Sequence, residues 1–376
     1  ERPLQSLILA RIEGDFPMSE KRALAVLFGG QSSEHEVSLM SARSILENLD
    51  QEKYRLYPVG ITKEGRWLLY EGPAAGLGDG SWLARGVPAF LSPDSGVHGL
   101  VALGEGQARV IPLDCVFPAL HGKNGEDGSV QGLFQLSGVP YVGCDVRSSA
   151  VCMDKAVTHT LLSAADISQA HYLWFYADRY DAAPDVVLNK IQARLDFPVF
   201  VKPANAGSSV GVSKVESPEG LDAAIRKAAR EDSKVVVEQG ISGQEVECAV
   251  LGLRPGAEAS IVGEIGASAQ FYDYDDKYVN GTSQLFIPAR LEEKTAQKIR
   301  DIAVRAFRML GCSGLARVDF FVTGEGEVVL NEVNTLPGFT SISMYPKLWM
   351  ACGLTYPQLL DRLVELALER AGGVHG

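Results

Sequence analysis

The chain has 376 residues, 46% apolar and 22% charged, and its 35 Lys and Arg against 47 Asp and Glu leave a net charge of -12. That length predicts two or three domains, each able to bury a core, and the composition excludes disordered and fibrous classes. No apolar run approaches the roughly 20 residues of a membrane span, and an acidic chain lacks the basic footprint of a nucleic-acid wrapper, so neither membrane nor nucleic acid is an expected partner.

The six cysteines (Cys115, Cys144, Cys152, Cys248, Cys312, Cys352) are dispersed and form no C-x-x-C pair. This argues against zinc or a disulfide framework and for buried thiols in a reducing cytoplasm. Residues 1–17 lack the order of a signal peptide. Met18-Ser19-Glu20 has the look of a natural start, so 1–17 reads as an extension.

In chain order, residues 23–28 predict a strand ended by Gly29-Gly30, followed by a helical pattern with Val37, Met40, Ser41, Ile45 and Leu49 near one face. Residues 54–61 and 114–120 read as further strands, and this alternation predicts an open parallel α/β sheet. The Gly/Pro-rich stretch 71–106 is expected to be loop and meander, with the first domain closing near 142–144. A helix is expected over 151–165, a strand over 197–202 and a glycine-rich loop over 204–212. Ser217 and Pro218 then open a helix running through Ala229, before a strand at 234–238. The last third predicts a strand over 244–250, a Tyr/Asp-rich loop over 271–282 and an amphipathic helix from 291 to 310 ended by Gly311. Strands 316–322 and 327–334 flank the turn 323–326 as a hairpin, and a terminal helix covers 356–370.

That hairpin is the most informative segment. Strand alternation puts Arg317 and Asp319 on one face, and Glu332 and Asn334 on one face of the return strand. Closing the turn symmetrically sets Arg317 opposite Glu332, with Asp319 on a diagonal of about 7–8 Å, near enough for two carboxylates to share a cation. Two acids and an amide, with no His or Cys, suit Mg²⁺. A solvated polar face with an Arg–Glu pair fits the same pattern.

The loop 204–211 offers backbone N–H groups and the hydroxyls of Ser208 and Ser209 to a phosphate, with Lys202 as a point charge. A plain flexible hairpin also fits, and G-K-[ST] is absent. His121-Gly-Lys-Asn-Gly-Glu-Asp-Gly128 follows a strand, where open α/β sheets bind ligands. Glu126 and Asp127 suit a helix's first turn, whereas His121 has no capping task. Residues 31–38 also follow a strand, but G-x-G-x-x-G is absent, which disfavours a dinucleotide enzyme.

Glu34-His35-Glu36-Val37-Ser38, the His121–Gly128 segment, Met153-Asp154-Lys155, Val201-Lys202-Pro203, Gly207-Ser-Ser-Val-Gly211, Tyr272-Asp273-Tyr274 with Lys277-Tyr278, Ala316-Arg-Val-Asp319 and Asn331-Glu-Val-Asn-Thr-Leu-Pro-Gly338 together resemble the D-alanine–D-alanine ligase family of the ATP-grasp superfamily. The match runs in order over residues 20–372. The resemblance implies an α/β and α+β, three-domain ATP-grasp ligase with an N-terminal Rossmann-like open parallel sheet. Its expected domains are 18–145, 146–240 and 241–376, the last carrying a lid over 271–282.

It also implies residue roles. Glu238 and the backbone near Gln239 and Ile241 would read adenine, Glu245 would hold the ribose, and Lys155, Lys202 and Lys277 the phosphates. Asp319, Glu332 and Asn334 would hold Mg²⁺, with Mn²⁺ as a substitute. Glu34 would pair with the ammonium of a first D-alanine and His121 would stand near its carboxylate. Ser343 and the Met344 N–H would hold a second D-alanine. Arg317 and the Gly338 N–H would stabilise the oxyanion, and Ser208 and Tyr278 would link to Glu34. The implied activity is ATP-dependent formation of D-alanyl-D-alanine through an acyl phosphate, for peptidoglycan precursors, in a cytoplasmic homodimer. The alternative is a D-alanine–D-lactate ligase or another ATP-grasp carboxylate–amine ligase. Tyr278 accompanies the peptide-forming members and argues for the dipeptide. Departures from the family pattern are the segment 1–17 and an insert at Arg254-Pro255-Gly256.

Overall fold

The computed structural model describes residues 21–104, 106–207, 209–266 and 284–373. Strand β1 (Arg22–Gly29) is the first apolar run, buried from Leu24 onward. It pairs in parallel with β2 (Tyr54–Ile61) and β7 (Cys115–Pro118). Helix α1 (His35–Asn48) provides the long crossover that parallel pairing of β1 with β2 requires. The rest of this seven-stranded sheet is antiparallel: β3 (Trp67–Leu69), β4 (Val87–Leu91), β5 (Gly99–Gly104) and β6 (Gln107–Pro112), in the order β6-β5-β4-β3-β2-β1-β7. The expected open parallel sheet is therefore parallel only around β1. The connections from β2 to β6 carry no crossover helix across the sheet, so their strands return antiparallel. Within the segment expected as loop and meander, residues 75–78 and 81–85 form short helical turns.

Two further sheets follow, antiparallel throughout. The first has the order β10-β9-β11-β8, from β8 (Tyr172–Tyr176), β9 (Val199–Pro203), β10 (Ser213–Val215) and β11 (Lys234–Gln239). The second has the order β14-β13-β12-β15-β16, from β12 (Gly243–Gly252), β13 (Glu258–Ile265), β14 (Leu285–Phe286), β15 (Gly314–Thr323) and β16 (Val328–Asn334).

After α2 (Ser129–Ser137), the helix expected over 151–165 is two helices, α3 (Val146–Met153) and α4 (Lys155–Ala164). Asp154 breaks them with an extended backbone, and its carboxylate accepts the Ala156 and Val157 N–H groups, capping α4. Lys234 of β11 pairs with the same carboxylate, fixing the start of α4 against the sheet. Helices α5 (Ala177–Ala182) and α6 (Pro184–Gln192) follow β8. Ser217 makes no capping bond. A 3-10 turn, Pro218–Gly220, precedes α7 (Leu221–Ala228), and the Ser217 hydroxyl turns to Glu219 instead. Helix α8 (Glu293–Met309) ends ahead of Gly311, whose φ is +77°.

The last helices, α9 (Met344–Ala351) and α10 (Tyr356–Gly373), tie the ends of the chain together. Leu359, Leu360 and Leu363 of α10 are fully buried in one core with Leu24 and Phe28 of β1 and Phe117 of β7. Each such side chain contributes about 1.5–3 kcal/mol. Arg370 donates to the carbonyls of Tyr141 (2.7 Å) and Gly143 and to Ser313 Oγ (2.7 Å), so α10 bridges the first and third sheets.

Candidate active site

A cavity of about 660 Å³ opens between the second and third sheets, a size that suits a small-molecule ligand. Lys155, Lys202, Ser209, Glu238, Gln239, Ile241 and Glu245 line it, together with Glu332 and Asn334 of the hairpin. Lys202 of β9 reaches across to Glu238 of β11, with Nζ 2.6 Å from Oε2. His159 of α4 stands 3.0 Å from Glu238 Oε1 through Nε2, and its Nδ1 is 2.7 Å from Gln169 Oε1. Burial pushes the Glu238 carboxyl up, but Lys202 and His159 outweigh it and hold the group down at about 2. His159 and Gln169 carried no signal as isolated residues; only the fold brings them to Glu238.

Lys155 opens α4. Its N–H donates to Ala204 O at 3.1 Å and its Nζ to Ala206 O at 2.8 Å, which seats the ammonium beside the glycine-rich loop. Burial lowers its pKa, against Glu332, Glu238 and Glu126, which favour the charge. Ser209 holds a left-handed backbone, φ +61°. The Gln239 N–H is already given to His171 O at 2.8 Å. Ser208, Lys277 and Tyr278, with the whole segment 271–282, lie outside the described residues.

The hairpin register differs from a symmetric closure. Asp319 stands directly opposite Glu332 and Arg317 opposite Asn334, because a bulge at Asn331 shifts the pairing between Asp319 and Phe320. Two carboxylates expected on a diagonal thus face each other. Asn334 Nδ2 lies 3.0 Å from Asp319 Oδ2 and 3.5 Å from Glu332 Oε1. Arg317 grips Asp319 through two nitrogens, at 2.8 and 2.7 Å, and its Nε lies 3.0 Å from Glu247 Oε2 on β12. The expected Arg317–Glu332 cross-strand pair gives way to Arg317–Asp319 and Arg317–Glu247. Glu247, buried, is a site residue the sequence reading passed over; the alternation along 244–250 was its one available signal.

The donor set fits a hard divalent cation. Two carboxylates lie within hydrogen-bonding range of one amide, and rotating the Asn334 amide would turn its oxygen toward a cation. Among the described residues no group of three or more His, Cys, Asp or Glu side chains is placed to hold a metal, so a cation at this hairpin would need Asn334 as its third ligand.

Beside this hairpin lie the residues expected at the amino-acid end. Glu34, buried at the start of α1, packs its carboxylate against two glycines: a Cβ on Gly122 or on Gly207 would lie 2.5 Å from Glu34 Oε2. The glycine-rich loop and the loop after β7 therefore meet at Glu34. Both nitrogens of the buried His121 have protein partners, Nδ1 at 3.1 Å from Leu336 O and Nε2 at 3.0 Å from Ser41 Oγ. Glu126 Oε2 accepts the Gly122 N–H at 2.7 Å and Asp127 takes the N–H groups of Asn124 and Ser129, but α2 starts only at Ser129, so neither acid lies in its first turn as expected. A Cβ on Gly338 would meet Ser343 Oγ at 2.7 Å, so these two stand in contact. Ser343 precedes α9 without capping it, its hydroxyl engaged by Thr340, while Met344 is the first residue of that helix.

Facing antiparallel sheets around a lysine-lined cavity, with a carboxylate hairpin at its edge, define an ATP-grasp ligase. A family model described as the D-ala D-ala ligase N-terminus matches residues 23–144, and one described as its C-terminus matches 161–365. The chain belongs to the D-alanine–D-alanine ligase family, whose members are ATP-dependent. It is 50% identical over 351 residues to the D-alanine–D-alanine ligase of Caldicellulosiruptor bescii, covering 93% of this chain and 96% of that protein. Among solved structures, VanG D-Ala:D-Ser ligase from Enterococcus faecalis superposes with a TM-score of 0.84 at 43% identity, over 93% of this chain and 100% of that one. The D-alanine–D-alanine ligase from Coxiella burnetii gives 0.84 at 38% identity, over 95% and 97%. No helix among the described residues is long and apolar enough to cross a membrane.

Proposed function

We propose that the chain ligates two D-alanines to D-alanyl-D-alanine, with ATP converted to ADP and phosphate, supplying a peptidoglycan precursor in the cytoplasm. The observation that carries this reading is the convergence of the Lys155/Lys202 cavity, the Asp319–Glu332 hairpin and Glu34 on one cleft. Adenine lies by Glu238, Gln239 and Ile241, and the ribose by Glu245. Lys155, Lys202, Ser208, Ser209 and Lys277 hold the phosphates. Asp319, Glu332 and Asn334 would hold Mg²⁺, which would neutralise phosphate charge when bound.

Glu34 takes the ammonium of the first D-alanine, leaving its carboxylate to attack the γ-phosphorus. His121 stands by that carboxylate as a neutral group, since burial lowers its pKa. The second D-alanine, held through its carboxylate by Ser343 and the N–H at the positive start of α9, attacks the acyl phosphate through its free amine. Arg317 and the Gly338 N–H stabilise the oxyanion that forms, and phosphate leaves. Tyr278 and Ser208 join Glu34 in closing the cleft over the reactive acyl phosphate, excluding water.

Release of phosphate from ATP, followed with D-alanine, L-alanine and neither, tests this reading. Release only with D-alanine is expected; release indifferent to D-alanine would overturn it.

A further inference from the structure

Ser41 stands in the middle of α1 with no exposed surface. A mid-helix serine commonly bonds back to its own helix, but this hydroxyl joins two distant segments. Its Oγ accepts the Phe339 N–H at 3.3 Å and lies 3.0 Å from His121 Nε2. The other His121 nitrogen, Nδ1, faces the Leu336 carbonyl at 3.1 Å. A carbonyl offers no proton, so Nδ1 carries the hydrogen, and in the neutral ring Nε2 is then an acceptor. The direction of every bond follows: Phe339 N–H to Ser41 Oγ, Ser41 O–H to His121 Nε2, His121 Nδ1–H to Leu336 O.

This closed circuit grips the chain on both sides of Gly338. A second strap comes from the same helix one turn on. Ser44 Oγ donates to the Tyr356 hydroxyl at 3.1 Å, and Tyr356 donates to Phe339 O at 2.6 Å. Both peptide groups of Phe339 are thereby bonded to residues outside its own loop.

We propose that Ser41 is a positioning residue of the ligation step: it links the Phe339 N–H to Nε2 of His121, whose tautomer the Leu336 carbonyl sets, and with His121 it fixes residues 336–339 so that the Gly338 N–H is held in place for the developing oxyanion. The inference rests on the function proposed above. Ser41 itself touches no reacting atom. Its effect runs through preorganisation, because a donor that must first be ordered stabilises the transition state less.

The test uses the full chain and two variants, Ser41→Ala and Ser41→Cys. Cysteine restores the volume but is a poor hydrogen-bond partner. Both variants are expected to lower kcat for dipeptide formation at least about tenfold, with KM for ATP within about twofold of the unaltered protein, since the nucleotide lies elsewhere. Cysteine restoring the activity that alanine loses would make the role one of packing and overturn the proposal. So would unaltered kcat in either variant. The unsubstituted protein provides the second measurement, ¹⁵N NMR of the His121 ring. Protonated Nδ1 with unprotonated Nε2 is expected, and protonated Nε2 would overturn the proposal even if the variants fail to fold. An unsubstituted protein that forms no dipeptide would count against the proposed function, while the tautomer still decides whether the Ser41 circuit exists.

Discussion

The Glu34 carboxylate and the α-carbon of Gly207 occupy adjoining space that admits no side chain: a Cβ on Gly207 would lie 2.5 Å from Glu34 Oε2. Glu34 stands at the start of α1 and Gly207 in the glycine-rich loop that lines the cavity. The glycine is required here by steric approach, since its φ is not among the positive ones. Gly207→Ala should therefore push the Glu34 carboxylate aside without straining the loop. Steady-state kinetics should show kcat/KM for D-alanine lower by roughly tenfold or more, with KM for ATP changed much less. Equal loss on both substrates would contradict a role confined to Glu34.

Asp319→Asn and Glu332→Gln remove one charge each from the facing pair on β15 and β16. Each is expected to lower kcat by about 10² or more and to raise the Mg²⁺ concentration needed for half-maximal rate. The second effect, read from a Mg²⁺ titration, separates metal binding from a general loss of activity.

The Lys202–Glu238 pair makes a prediction about stability. Glu238 is 5% exposed, and its charge is held by Lys202 and His159. Removing one partner of such a pair leaves an uncompensated buried charge. Lys202→Met should therefore cost about 3–5 kcal/mol in urea unfolding without nucleotide. Lys202→Met with Glu238→Gln should recover part of that loss, a coupling read from the double-mutant cycle.

Glu126 makes the opposite kind of prediction. Burial, with Glu34 and Glu332 nearby, pushes its carboxyl up from the ordinary carboxylate range to about 8. The folded state then binds a proton that the unfolded state has lost. Its contribution is fully present below the unfolded pKa and fades as pH rises toward 8. Unfolding free energy in metal-free buffer should fall between about pH 5 and 8, and Glu126→Gln should flatten that slope. A slope that steepens in the variant would contradict the assignment.

How much of this was legible in the sequence depended on whether a feature was local. The carboxylates of 317–334 share faces by strand alternation alone, so the hard-donor set was readable. Their register was not, because the bulge at Asn331 is a property of the paired strands. The break at Asp154 was hidden by continuous apolar spacing, and only the Asp154–Lys234 pair shows why α4 starts where it does. The amino-acid roles of Glu34, Ser343 and Tyr278 came from family resemblance. His159, Glu247 and Ser41 act through partners dozens to hundreds of residues away, which no local pattern encodes.

In the proposed reaction ATP activates the carboxylate of one D-alanine for attack by the amine of another. D-alanine carrying ¹⁸O in its carboxylate tests it most directly. The dipeptide should be D-alanyl-D-alanine, and one ¹⁸O should pass into the inorganic phosphate released with ADP. Phosphate free of ¹⁸O, or release of AMP and pyrophosphate, would contradict it.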